Sequence, residues 1–301
     1  MTDERRSSLV ATALVLILFG IGLWVAAGAL LEDGLPLFPA ERQVAVIPIE
    51  GVIASEERVL RAVRRYRDRE SVRGFVVEIR SPGGTVGASQ SIYRALRELR
   101  DEDDRPVYAW IGDVGASGGY YVALGADSIY ALPGSITGSI GVIMELPNAQ
   151  GLLRKAGVEI EVVQSGAYKD LGSATRPMDE GERQILQGVV DDTYRQFLDV
   201  VVENRGMERE RAGELADGRI FTGAQAVELG LVDGTATLSE TIDRAGRAAG
   251  LGEDPSTVTP SEPRPDLWDV LLGRAGTRWL DRLGLTGESG VSTPRLLYQW
   301  R

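Results

Sequence analysis

The chain has 301 residues, of which 43% are hydrophobic and 26% charged, with a formal net charge of −11. That is the make-up of a folded globular protein of one large domain or two small ones. The acidic balance argues against a nucleic-acid partner, which needs a basic face, and adds no attraction to an anionic lipid surface. There is no histidine and no cysteine. A Ser-His-Asp triad, histidine metal ligands, disulfides, a thiol nucleophile and cysteine-type zinc or iron–sulfur sites are therefore excluded. Nucleophilic chemistry falls to Ser, Thr, Lys, Tyr or a carboxylate.

Residues 1–8 are polar and include Arg5 and Arg6, whereas LVATALVLILFGIGLWVAAGALL, 9–31, carries no charge and is followed by Glu32 and Asp33. Roughly 20 apolar residues span the hydrocarbon core of a bilayer, so 9–31 is expected to be a membrane anchor. Arginines before it and acids after it predict a cytoplasmic N-terminus with the remainder outside. The competing reading is a cleaved signal peptide cut near AAGA, 26–29, but such apolar regions are usually about 7–15 residues long.

A Pro-containing spacer within 32–42 leads to QVAVIPIEGVI, 43–53, a buried strand. A helix is expected over 55–70 with Ser55 as N-cap, then a strand over 74–81. From Thr85 to Arg100, Ile92, Ala95, Leu96 and Leu99 share one helical face. Further strands are predicted over 106–112, 128–133 and 158–165. A long helix over 179–206 opens on the capping-box pair Asp179 and Glu182 and closes on Gly206, and a short one runs from Thr222 to Gly230. Strands alternating with helices indicate an α/β fold with largely parallel strands. Residues 251–266 read as a linker. Beyond them Leu267, Trp268, Leu271, Leu272, Ala275, Trp279, Leu280 and Leu283 form an amphipathic stripe within a C-terminal segment, 267–301.

Three short segments carry the chemistry. In Ser81-Pro82-Gly83-Gly84, two glycines between a strand and a helix permit close backbone approach, and their amides suit an oxyanion. A tight turn is the plainer reading. In Gly115-Ala116-Ser117-Gly118-Gly119, a serine among small residues sits between strand and helix, as in a nucleophile elbow, with the Gly118 amide beside it. A helix-capping serine reads equally well there. The third segment is SGAYKDLGSATRP, 165–177. Of the 33 lysines and arginines only Lys155 and Lys169 are lysine. Arginine stays protonated, whereas a buried lysine can give up its proton and act as a general base. With no histidine in the chain, a base for Ser117 is needed, and Lys169 is the candidate. Lys155, beside Arg154, reads as a solvated surface charge.

Together these segments resemble the signal peptide peptidase A family of membrane-anchored serine peptidases, relatives of the Clp protease and crotonase fold. The matching stretches are SPGG (81–84), GASGGYYVA (115–123), GSITGSIGVIME (134–145), SGAYKDLGSATRPM (165–178) and DGRIFTGAQAVELGLVD (217–233), so the resemblance covers roughly 43–250. It implies a repeated β-β-α superhelix with Ser117 as nucleophile, Lys169 as base, Ser139 orienting the lysine, and the Gly84 and Gly118 amides as oxyanion hole. It also implies a homo-oligomer in which the lysine can come from a neighbouring subunit, signal peptide remnants and other unfolded peptides as substrates, and no metal or organic cofactor. The rival functions are a crotonase-type acyl-CoA enzyme, an inactive membrane scaffold, and a peptidase acting on one specific membrane protein.

Overall fold

The computed structural model describes residues 41–102, 104–260 and 296–299, together with 16, 19, 20 and 22. Residues Met1–Arg42 and Gln43–Arg301 separate into two units. The expected anchor over 9–31 and the expected amphipathic stripe over 267–283 lie outside the described residues, apart from those four positions in the first. Among the described residues no helix is long and apolar enough to cross a membrane.

The second unit begins with β1 (Gln43–Glu50), α1 (Glu57–Arg67), β2 (Val72–Ser81), β3 (Gly83–Thr85), α2 (Val86–Glu102), β4 (Val107–Ala116) and α3 (Gly118–Ala123). It continues with β5 (Ser128–Ala131), β6 (Ile136–Gly138), β7 (Ile143–Met144), α4 (Gln150–Lys155), α5 (Glu180–Arg205), α6 (Arg209–Leu215), β8 (Ile220–Thr222), α7 (Gly223–Glu228), β9 (Gly234–Thr235), α8 (Leu238–Ala248), β10 (Thr257–Val258) and β11 (Leu296–Gln299). The chain is a mixed α/β protein around a central sheet of order β10-β1-β2-β4-β5-β9, all parallel, with β6 parallel beside the C-terminal end of β4 and β8 antiparallel to β6.

Strands in the middle of a parallel sheet are buried on both faces, which is why β1, β2 and β4 read as continuous apolar runs. Side chains alternate between the faces. Ala45, Ile47, Ile49, Phe75, Val77, Ile79, Ala109 and Ile111 join the larger core with residues of α1, α2, α3 and α5. Val44, Val46, Val76 and Trp110 join Ala245 of α8 in a smaller core. Burying such side chains contributes about 1.5–3 kcal/mol each, so the sheet is a firm base for whatever its strand ends carry.

Three local expectations change. The helix α1 starts at Glu57, and Ser55 accepts from the Glu57 amide at 3.3 Å instead of capping it. Thr257–Val258, inside the stretch read as a linker, forms the edge strand β10 beside β1. The strand expected over 158–165 is absent: this segment is exposed throughout. Its apolar side chains, Val158, Ile160, Val162 and Val163, face solvent. An alternating pattern makes a strand only where a neighbouring edge accepts its backbone hydrogen bonds, and among the described residues none does.

Candidate active site

Ser117 follows directly on β4 and caps α3, with φ 51° and ψ −114°, and its side chain makes no capping hydrogen bond. A positive φ is unfavourable for a residue with a Cβ and persists only where the surroundings enforce it. Here the enforcement is visible. The Ser117 amide donates to the Gly138 carbonyl at 2.8 Å, the Tyr121 amide donates back to the Ser117 carbonyl at 2.8 Å, and Thr137 Oγ1 donates to the Gly115 carbonyl at 2.8 Å. Tyr120, fully buried, anchors α3 through its hydroxyl on the Leu231 carbonyl at 2.7 Å.

Ser139 has the same unusual φ of 51°. Its amide donates to the Arg219 carbonyl at 2.8 Å, fixing it just beyond β6. Ser117 and Ser139 are 1% and 7% exposed, and both line one cavity of about 430 Å³ with Gly141, Val142, Ile143, Val190, Asp191, Tyr194 and Asp217. Two of the four positive-φ non-glycine residues among the described residues thus meet at one cavity. Strain clusters at functional sites because surrounding structure must be invested to hold it.

The glycines next to Ser117 are there because no side chain fits. A Cβ on Gly84 would lie 2.1 Å from the Ile53 carbonyl oxygen, and one on Gly118 would lie 2.6 Å from Ser89 Oγ and 3.0 Å from the Gly84 amide nitrogen. A Cβ on Gly83 would lie 2.7 Å from the Gly118 amide nitrogen. The Gly84 and Gly118 amides therefore lie close together beside Ser117, an arrangement that suits an oxygen with developing negative charge.

On the cavity wall, the Arg219 guanidinium and amide hydrogen-bonded to Asp217 hold its carboxyl down at about 2. Burial, and secondarily the Asp217 charge, push the Tyr194 phenol up. Asp191 and Tyr194 on α5 were not singled out from the sequence. They share a helix face with Val190, but nothing in the pattern says that this face borders Ser117 and not the core.

Lys169 stands apart. It is exposed and does not line the Ser117 cavity. Its loop is nevertheless well built. The Lys169 amide donates to the Gly166 carbonyl at 3.1 Å. The next residue, Asp170, takes two hydrogen bonds from Arg176 at 2.7 and 2.8 Å. Arg176 also grips Glu182, with its Nη1 at 2.8 Å from Oε2. Glu182 completes the capping box with Asp179 at the start of α5. Hydrogen bonds from Arg176 hold both the Asp170 and Glu182 carboxyls below their usual range. The structure thus brings together Ser117, Ser139, Gly84 and Gly118 and leaves Lys169 on an exposed, clamped loop.

Residues 100–252 match the model of Peptidase family S49. A Synechocystis sp. protein named as a protease is 41% identical over 249 residues, 81% of this chain and 89% of its own length. An Enterococcus faecium protein named as a signal peptide peptidase is 32% identical over 319 residues, 99% of this chain and 90% of its own. The chloroplastic serine protease SPPA of Arabidopsis thaliana is 33% identical over 229 residues, 75% of this chain and 33% of its own. An α/β fold with a buried serine on an enforced turn, in a chain with these relatives, defines a serine-type peptidase. The chain belongs to peptidase family S49.

Proposed function

We propose that the protein is a membrane-anchored serine endopeptidase that degrades cleaved signal peptides and other unfolded peptides through a Ser117–Lys169 dyad shared between copies of the chain. The observation that carries this reading is the cavity in which Ser117 and Ser139, both with enforced positive φ, meet beside the Gly84 and Gly118 amides. Among the described residues of one copy, no amine lines that cavity. Lys169 sits on an exposed loop next to an exposed apolar stretch that includes Val163, 96% exposed, and Tyr168, 53% exposed. Contiguous exposed apolar surface marks an interaction site, and a second copy docked there delivers Lys169 to the neighbour's cavity. Desolvation in an enclosed site favours a neutral amine, and the Ser139 hydroxyl orients it. The oligomer is the homo-oligomer that the family resemblance implies, with the lysine supplied by a neighbouring subunit. The repeated β-β-α superhelix and the anchor over 9–31, with the peptidase domain outside the cytoplasm, belong to the same proposal.

In this mechanism Lys169 Nζ takes the Ser117 proton as Oγ attacks a peptide carbonyl, and the oxyanion rests on the Gly84 and Gly118 amides. The protonated lysine then gives its proton to the leaving amine, producing an acyl-ester on Ser117. Water, deprotonated by the same lysine, cleaves that ester, releasing the acid and restoring the serine.

The test compares cleavage of an unfolded apolar peptide by assembled wild type, Lys169→Arg, Lys155→Arg and Ser117→Ala. A positioned general base contributes about 10²–10⁴-fold. Lys169→Arg should lose a factor of that size and Ser117→Ala at least as much, while Lys155→Arg matches wild type. Full activity of an assembled Lys169→Arg oligomer would end the base assignment.

A further inference from the structure

The cavity at Ser117 has about 430 Å³, the size of a small-ligand site and more than a proton transfer between two side chains requires. Ser117 and Ser139 line it almost fully buried, and neither hydroxyl hydrogen-bonds another described residue. Buried hydroxyls without partners mark the place of a bound group. The charged side chains that line the same cavity are both acidic: Asp191 comes from α5, and Asp217 from the turn between α6 and β8. Tyr194 stands three residues beyond Asp191, on the same face of α5, and lines the cavity with it. Among the described residues no lysine or arginine lines it.

The acidic wall is fixed, and its charge is not fully offset. Asp217 Oδ1 accepts from the Arg219 amide at 3.1 Å and from Arg219 Nε at 2.7 Å. Arg219 thereby offsets much of the Asp217 charge, but Arg219 itself does not line the cavity. Asp191 is different. Among the described residues its carboxyl has a neutral partner, Gln187 Nε2 at 2.7 Å. Arg195, one turn further along α5, donates to Asp192 at 2.7 Å instead. The Tyr194 phenol, pushed up by burial and by the Asp217 charge, stays neutral and offers a ring face to a cation. Carboxylates beside an aromatic face in a part-enclosed cavity are the chemistry that receives an ammonium or a guanidinium. Val142 and Ile143 line the same space and suit the methylene stem that carries either group.

We propose that Asp191, Tyr194 and Asp217 form a subsite that takes a lysine or arginine side chain of the peptide being cut, so that a positive charge on the substrate sets where Ser117 cleaves. This inference rests on Ser117 being the nucleophile. It deepens the substrate class proposed above. A signal peptide carries its positive charges at one end, with its apolar run beside them. A cationic subsite next to Ser117 draws the cut to the border between the two. The formal net charge of −11 adds a long-range attraction for the same end of the peptide.

The experiment uses the full chain, assembled, and unfolded apolar peptides that are neutral except for one lysine, placed at successive positions. Cleavage sites are read by mass spectrometry, and a phosphonate probe that labels active-site serines is run alongside. In wild type the cut should move with the lysine at a fixed spacing. The kcat/KM of a lysine peptide should exceed that of its norleucine counterpart about fivefold, the size of one partly exposed charge pair, and the ratio should shrink at high salt. In Asp191→Asn the ratio should fall about threefold or more, and in Asp191→Lys glutamate should replace lysine as the residue that leads the cut. Asp217→Asn, which keeps an acceptor for the Arg219 amide, should lower the ratio less, because Arg219 already offsets that charge. Cuts that stay in place when the lysine moves, or an equal ratio in wild type and Asp191→Lys, overturn the inference while the probe still labels Ser117. So does an Asp191→Asn enzyme that slows lysine and norleucine peptides by one common factor, the result expected if Asp191 only seats the neighbour's Lys169. If Ser117 is labelled in no form, the nucleophile assignment itself has failed.

Discussion

Around Ser117 the chain is buried on all sides, closed by backbone hydrogen bonds and packed so tightly that an added carbon at Gly84 would lie 2.1 Å from a carbonyl oxygen. Around Lys169 it is exposed from Arg154 through Lys169, carries unpartnered valines, and has space for a Cβ at Gly166 with nothing within 4 Å. The first region is held in place by contacts within one chain. The second has exposed apolar surface and the Arg176 clamp, and in the proposed oligomer that surface is one half of an interface. The contrast teaches that the two parts of the proposed dyad are built to different rules. One is buried and fixed by its surroundings, and the other stands on an exposed loop.

The sharpest way to break this comparison is to add the same methyl group on each side. Gly84→Ala should cut kcat/KM by about 10²–10³-fold, the effect of losing one oxyanion donor, and lower the melting temperature as well, because Ile53 must move. Gly166→Ala should leave both unchanged. Equal tolerance at the two positions, read by thermal melts and peptide cleavage, would show that the glycines beside Ser117 are not held by contact.

The next effect concerns the exposed valines. Charging the patch with Val162→Asp and Val163→Asp should leave the far-ultraviolet circular dichroism of the fold intact, because neither side chain is in the core. It should shift the sedimenting species toward monomer, with activity per chain falling about tenfold, the cost of burying unpaired charge at an interface. An oligomer of unchanged size and activity would place the interface elsewhere.

The smallest effect is on the Arg176 clamp. Asp170 and Glu182 titrate below their ordinary values of 3.8 and 4.5 because Arg176 hydrogen-bonds to both. A depressed carboxyl stabilises the folded form above its unfolded pKa and loses that contribution as pH falls through the folded one. Hydrogen-exchange protection of residues 165–178 should therefore be level from neutral pH down to about pH 5 and decline below about pH 4. In Arg176→Leu it should be low throughout, with kcat reduced a few-fold. Protection that is independent of Arg176 would remove the clamp from the account.

Much of this was legible before any coordinates. The runs QVAVIPIE and GFVVEI read as buried strands because a parallel sheet covers both of their faces, and β1 and β2 lie side by side in its middle. Asp179 and Glu182 read as a capping box, and both reciprocal hydrogen bonds are present. The serine and glycine turns stood out by residue type alone, since only small residues tolerate such close approach, although their chemical roles rest on the proposal and its tests. Other features were illegible for definite reasons. The alternation over 158–165 matches a strand, but strand formation depends on an edge that the described residues do not offer. The β11 segment is four residues long and pairs with glycines more than 200 positions earlier, a contact that no local pattern encodes. Asp191 and Tyr194 needed the packing of α5 to be known before their face could be assigned.

The central claim is that Ser117 of one copy works with Lys169 of another, and a mixing experiment tests it most directly. Ser117→Ala and Lys169→Ala are assembled separately, then dissociated, mixed in equal amounts and reassembled. Each alone should be inactive. If the lysine crosses a heterologous interface, roughly a quarter of the sites in the mixture regain both groups, and peptide cleavage should return to about that fraction of wild type. A mixture that reassembles to full size yet stays inactive would contradict the shared dyad.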